Sequence, residues 1–312
     1  MARVSIILPV YNGASTISRA LESVFAQSFT DYEVVVVDDG STDDTASMLA
    51  GYGDRIHVVS QHNRGLSAAR NAGVRASSGE LIAFIDDDDL WMPEKLARCV
   101  ATLDQDPNCV LAYTGAIRVD LTGTPMPNQN ANTDGVDSPT MAQMLARPWN
   151  VVPCQFVVRR AVLERCGGFD ERFVSTCEDL YFLRRARECG YFRGVPEALV
   201  RKTTRPLYPK ALKREDQCEL FCQLVHERYG ASASSLIREF RRKRMKVMKH
   251  MARVLIEEGR IRDARRCLAR VIHYQPTSLK AYRRYLRTFI PRRPRLSTHT
   301  PHTASSAEDS EA

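Results

Sequence analysis

The residues from Phe84 to Trp91, FIDDDDLW, set four consecutive aspartates behind an apolar run. Two carboxylates about 4 Å apart repel by roughly 4 kcal/mol at an effective dielectric of about 20. A cluster of that kind asks for a countercharge. Two further acidic pairs stand out, Asp38–Asp39 in VVDDGS and Glu178–Asp179 in CEDLYFLRRARECGY. The second pair falls near a predicted helix start, where the helix dipole favours carboxylates, so it has a structural reading beside a chemical one.

The elements that must position these groups follow from periodicity. Residues 4–10, 32–39, 56–61 and 80–87 are short, β-branched apolar runs without alternation, as expected of strands covered on both faces. Helical patterns separate them. STISRALESVFAQ puts Ile17, Leu21, Val24 and Phe25 on one stripe, STDDTASMLAGY opens with Ser41 as an N-cap candidate, and GLSAARNAGVRAS reads as a third helix. This alternation predicts a mostly parallel, doubly wound α/β sheet. In such a sheet the acidic strand ends line one edge, where ligands bind. Beyond Trp91 the pattern predicts a helix from Pro93, a strand from Cys109 to Asp120, a long loop over 121–138, a strand CQFVVRR, a turn GGFDERF and a helix carrying Glu178 and Asp179.

The chain has 312 residues, enough for one large domain and an appendage. Nine cysteines, an odd number without a Cys-x-x-Cys pair, argue against a disulfide framework and for a reducing, cytosolic setting. The apolar run before Pro9 is too short for a secretory signal, and no window is long enough to span a membrane. The net charge of +8 conceals an asymmetry: residues 1–200 carry −8 and residues 201–312 carry +16. From about Arg201 the chain reads as Arg/Lys-rich helices to about residue 290, including one unit resembling a tetratricopeptide pair that turns at Pro276. Residues 291–312 hold few apolar residues and are expected to be disordered.

Taken together, VSIILPVYNGASTISRALESVFAQSFTDYEVVVVDDGSTDDT, NRGLSAARNAGVRASSGELIAFIDDDDLW, GGFDERF and EDLYFLRRARECGY strongly resemble the family 2 glycosyltransferases. The match covers roughly residues 3–200. The resemblance implies a GT-A fold, a Rossmann-like mostly parallel sheet flanked by helices, with the basic helices as a C-terminal extension. Residues 1–92 would form the nucleotide-sugar half, 93–200 the acceptor half and 201–290 the extension. The implied activity is transfer of a sugar from a nucleotide-diphosphate sugar, with a lean to uridine, to an acceptor hydroxyl with inversion.

Carried over residue by residue, the family's Asp-x-Asp motif lands on Asp86 and Asp88, which makes them the expected Mg²⁺ or Mn²⁺ pair, with Asp87 between them facing the donor. A hard cation there is the missing countercharge, and it would also meet the charge of a departing diphosphate. For Asp89 a helix cap is the alternative. Pro9, Tyr11 and Asn12 match positions that contact the base and sugar, Asp39 the position that binds the base, and Arg70 one that faces the nucleotide or its phosphates. Glu178 and Asp179 match the acidic pair whose second member is the general base, so Asp179 is the expected base and Glu178 its orienting neighbour. Gly168, Phe169 and Trp91 are acceptor-side candidates, with a tight turn and a core role as their alternatives.

The chain departs from processive members in having LRRARECGY, not a Gln-x-x-Arg-Trp motif, after the acidic pair. That favours an enzyme adding single sugars to a saccharide or lipid-linked acceptor of an envelope polysaccharide, lipopolysaccharide or glycolipid. The basic helices suit an anionic membrane surface, giving a cytoplasmic, peripheral protein, and show no fold or aromatic platform for nucleic acid. A nucleotide-sugar-binding module without catalysis, and more distantly a nucleotidyltransferase, are the competing readings.

Overall fold

The computed structural model describes residues 1–120, 122–126, 151–174, 176–204 and 215–289. The loop expected over 121–138 lies largely outside them, as does the tail expected over 291–312. The chain divides into two compact units, Met1–Lys243 and Arg244–Ala312.

Among the described residues of the first unit, eight strands form one sheet: β1 Val4–Val10, β2 Tyr32–Asp38, β3 His57–Ser60, β4 Leu81–Phe84, β5 Leu90–Trp91, β6 Cys109–Val119, β7 Phe156–Arg159 and β8 Tyr191–Thr203. Their order is β3-β2-β1-β4-β7-β6-β8-β5, with only β7 and β5 running against the rest. The expected mostly parallel sheet is therefore present. Its helices are α1 Ile17–Phe25, α2 Thr45–Ala50, α3 Leu66–Arg75, α4 Lys95–Asp104, α5 Arg160–Cys166, α6 Glu178–Ala186 and α7 Glu215–Tyr229. A long helix, α8 Ser234–Glu257, crosses into the second unit, which adds α9 Ile261–Tyr274 and α10 Leu279–Arg287.

In β1, β2 and β4 the continuous apolar runs have the cause the sequence implies, whereas β3, expected to be covered on both faces, is an edge strand with Val58 39% exposed. Val4, Ile6, Leu8 and Val10 of β1 pack in one layer with Ile17, Leu21 and Val24 of α1 and Leu96 and Leu103 of α4. Ile7 packs in the other layer with Ala69 and Ala72 of α3 and Phe182 and Leu183 of α6. Burying each Val, Leu or Ile contributes about 1.5–3 kcal/mol, so both faces must be apolar. Gly73 brings α3 especially close to the sheet, since a Cβ there would stand 2.3 Å from the Ile7 Cγ2.

Two local expectations change. The boundary expected at residue 200 falls inside β8, and the first compact unit continues to Lys243. β8 contains Gly194 and Pro196, and its pairing with β6 is irregular around Gly115. Proline removes a ladder donor, so this strand shows no sequence run like those of β1 or β2. Ser41 does not cap a helix: α2 starts at Thr45, whose N–H donates to Asp43 at 3.1 Å. The Ser41 hydroxyl instead accepts the Asn12 N–H at 2.9 Å.

Candidate active site

The carboxyl ends of β1, β2, β4 and β8 meet at one edge of the sheet. Between β1 and α1, Asn12 adopts a left-handed backbone (φ 53°), and its side chain accepts the Thr42 N–H at 2.8 Å. This bond ties the β1 loop to the β2 loop. Tyr11 beside it is 49% exposed, open to a stacking partner. Pro9 is buried in β1, past the last β1·β4 pair at Ile7 and Phe84, where a missing N–H breaks no ladder bond.

Asp38 accepts the Ser41 N–H at 2.8 Å and so orders its own turn. Asp39 is buried and accepts from Gln61 Nε2 (2.7 Å), the Arg64 N–H (2.9 Å) and the Gly65 N–H (2.9 Å). A carboxylate offers about four acceptor sites, so most of Asp39 is spent on the loop that launches α3.

The four aspartates separate by role. Asp86 accepts from Arg70 at 2.9 Å through one oxygen and from Lys202 at 3.0 Å through the other. Burial would raise its carboxyl, but the Lys202 and Arg70 charges outweigh burial and hold it well below the usual range. Asp87 accepts the Thr16 hydroxyl at 2.7 Å ahead of α1. Asp88 is half-buried, and its carbonyl accepts the Thr203 hydroxyl. Asp89 is fully buried and takes Lys202 at 2.7 Å and the Thr203 N–H at 3.0 Å. Burial pushes its carboxyl up to about 7, with Lys202 opposing and the charges of Asp86 and Asp88 adding. The expected helix cap at Asp89 does not occur, because β5 follows it and α4 starts only at Lys95.

Lys202 is the residue that the sequence reading missed. The antiparallel register Leu90↔Arg201 between β5 and β8 carries the next residue of β8 toward the preceding aspartate of β5. Burial would lower the ammonium, but Asp89 and Asp86 raise it well above the ordinary lysine value. The cluster's countercharge is thus supplied in large part by the chain itself. The available signal was faint, a single lysine at the end of a strand interrupted by proline.

Arg70 joins the two halves of the site. It is 1% exposed on α3 and contacts Asp86 at 2.9 Å and Glu178 at 3.1 Å. Glu178 opens α6, and the preceding Cys177 is held at φ 66°, an uncommon backbone for a side-chain-bearing residue. Asp179 is half-buried, and its Oδ1 accepts the Leu180 N–H at 2.7 Å. Burial, and then the Glu178 charge, push its carboxyl up to about 7. That places its proton exchange where a general base is effective near neutrality.

Two acceptor-side expectations do not hold as stated. Trp91 is 3% exposed, its indole N–H donates to the Cys154 carbonyl at 2.9 Å, and Lys95 Nζ lies 3.8 Å from the ring centre. Phe169 is buried against Phe84 and Phe182 and stands 5.2 Å from the Arg70 guanidinium. Both rings back the site from the core. Gly168 serves the same assembly: it has φ 68°, and a Cβ there would stand 2.5 Å from Asn71 Oδ1, the atom that accepts the Phe169 N–H at 2.9 Å. Gly168→Ala should therefore destabilise the protein by more than about 1 kcal/mol, read as a lower thermal midpoint. An unchanged midpoint would show that the turn can move off α3.

Among the described residues no group of three or more His, Cys, Asp and Glu side chains forms a metal cage. Asp86, expected as a ligand, has both oxygens engaged by cations. Mg²⁺ keeps several waters and binds through one or two carboxylates plus phosphates, so a one-carboxylate site at Asp88 fits such an ion.

The family model described as Glycosyl transferase family 2 matches residues 5–167. An uncharacterized glycosyltransferase of Rickettsia prowazekii is 29% identical over 185 residues, 57% of each chain. The putative teichuronic acid biosynthesis glycosyltransferase TuaG of Bacillus subtilis is 36% identical over 127 residues, 39% of this chain and 50% of its own. The chain thus spans a little over half the length of the first curated relatives it matches. In structure it is similar to S. aureus TarS 1–349 in complex with UDP-GlcNAc, with a TM-score of 0.63 and 20% identity over 92% of this chain and 89% of that one. That likeness is one of fold.

Proposed function

We infer, from the premise that the chain belongs to glycosyl transferase family 2, that the protein moves a sugar from a nucleotide-diphosphate sugar to an acceptor hydroxyl. One observation carries the reading: the buried Arg70 spans from Asp86 in the aspartate cluster to Glu178 in the acidic pair. A donor half and an acceptor half are thereby held in one fixed relation. The donor is a uridine diphosphate sugar, in keeping with the UDP-GlcNAc bound by the TarS fold relative.

In this proposal Tyr11 stacks on the base, and Asp39 and Asn12 hold the two loops that frame it. Asp179 takes the proton of the acceptor hydroxyl as that oxygen attacks the anomeric carbon. The bond from that carbon to the diphosphate breaks on the opposite face, so the configuration inverts. Arg70 and Lys202 keep positive charge beside the aspartates as the anionic diphosphate departs. Asp88 would hold a Mg²⁺ or Mn²⁺ ion, which when bound supplies further charge neutralisation for that leaving group. Accordingly Asp88→Asn should weaken Mn²⁺ binding about 10-fold or more, as loss of even an outer-shell partner does. Electron paramagnetic resonance titration measures this directly, and unchanged affinity would remove Asp88 as a ligand.

Among the described residues no helix is long and apolar enough to cross a membrane. We place the protein at the inner, anionic face of a membrane through its C-terminal basic helices, acting on a saccharide or lipid-linked acceptor of an envelope polymer. The functional test is release of nucleoside diphosphate from a panel of nucleotide sugars with oligosaccharide and lipid-linked acceptors. Metal-stimulated release with product formation supports transfer, whereas donor binding without turnover across the panel supports a binding module.

A further inference from the structure

The second compact unit carries a surface that the transfer reaction does not use. Ala281 of α10 is buried with Met245 and Met248 of α8 and Val271 of α9, which fixes the side of α10 that faces inward. On its outer side Leu279, Tyr282 and Leu286 recur at i, i+3 and i+7, and Phe289 follows the helix end. They are 71%, 38%, 62% and 55% exposed. A lone exposed leucine needs no explanation, but an aligned stripe marks a contact surface.

The neighbouring side of α10 carries Lys280, Arg283, Arg284 and Arg287. Here a cavity of about 250 Å³ is lined by Lys249, His250, Arg253, Lys280 and Arg284, over Leu268 and Ala281, with no carboxylate among the described residues of its wall. Neutral groups hold two of these cations: Lys249 donates to Gln275 Oε1 at 2.7 Å, and Arg284 donates to the Lys249 carbonyl at 3.3 Å. Glu257 stands 3.9 Å from Arg253, and both are exposed. A cationic hollow beside an apolar stripe matches a ligand with an anionic head and an apolar tail.

We propose that this surface docks a phosphate-bearing lipid, with the phosphate headgroup in the basic cavity and the apolar chains against Leu279, Tyr282 and Leu286. The site deepens the peripheral placement proposed above and is independent of the transfer chemistry. A soluble phosphate would use the cavity alone. The stripe is what selects a lipid.

The test is flotation of the full chain with phosphatidylcholine vesicles that contain or lack phosphatidylglycerol, at low and high salt. Binding is expected only with phosphatidylglycerol. It should weaken about 30-fold in Lys280→Gln/Arg284→Gln, on the order of 1 kcal/mol per cation lost. Leu279→Ser/Leu286→Ser should also weaken it, and both variants should keep wild-type UDP binding and melting. Because Arg284 also touches α8, Arg253→Gln/Lys280→Gln replaces the first variant if that one melts early. Vesicle binding that survives in both variants would overturn this site while leaving peripheral placement intact, and no binding by the wild type would overturn both. Displacement by inorganic phosphate, with no effect of the leucine changes, would mean a soluble-anion site and overturn the lipid assignment. Self-association of the wild type that the leucine changes abolish would mean that a second copy covers the stripe, and would equally overturn it.

Discussion

Asp179→Asn should keep the fold and lose turnover by about 10²–10⁴-fold, the usual contribution of a positioned general base. The asparagine oxygen can still accept the Leu180 N–H that Asp179 Oδ1 accepts now. Removing the charge also relieves repulsion from Glu178, the largest cause after burial that pushes this carboxyl up to about 7. The melting point should therefore stay level or rise. The pH dependence has a definite sign. A base works in its ionised form, so wild-type kcat/KM should climb as pH rises toward about 7 and level off above it. In Asp179→Asn that limb should vanish along with most of the rate. Steady-state rates across pH, with melting curves on the same samples, check both parts. Turnover near the wild-type level would move the base elsewhere.

Lys202→Met should destabilise the protein strongly. The side chains of Lys202 and Asp86 are 19% and 20% exposed, and that of Asp89 is not exposed at all. Methionine fills similar space but leaves Asp89 buried without its ammonium partner, and Asp86 with Arg70 alone. Breaking a buried ion pair on one side costs about 3–5 kcal/mol. For a domain of this size that lowers the melting point by roughly 6–20 °C. The deficit should narrow at acid pH, where a carboxyl already pushed up to about 7 takes a proton and no longer needs the cation. Lys202→Arg should recover part of the loss, since the charge is kept and only its shape changes. Equal melting points for wild type and Lys202→Met across pH would show that the ammonium does not stabilise the cluster.

Much of the donor half was legible. The strands at 4–10 and 32–38 are apolar without alternation because each face of the sheet has its own helical layer, and that requirement is written locally. Arg70 and Glu178 each stand out within their own motif. Their contact, across 108 residues of chain, was not predictable from either neighbourhood. Trp91 and Phe169 show the opposite limit. An aromatic residue beside a motif reads alike whether its face meets a ligand or the core, and only packing on Cys154, Phe84 and Phe182 places these two inside.

The sequence by itself determined the alternating strands and helices of residues 4–87, the acidic strand ends and the family, because hydrophobic period and motif spacing are properties of neighbouring residues. Only the tertiary structure decided which charges meet. The antiparallel register of β5 on β8 carries Lys202 across 113 residues of chain to Asp89 and across 116 to Asp86. Register between distant strands depends on the whole sheet closing at once. For that reason the cation that meets both Asp86 and Asp89 was present in the sequence yet unreadable as their partner.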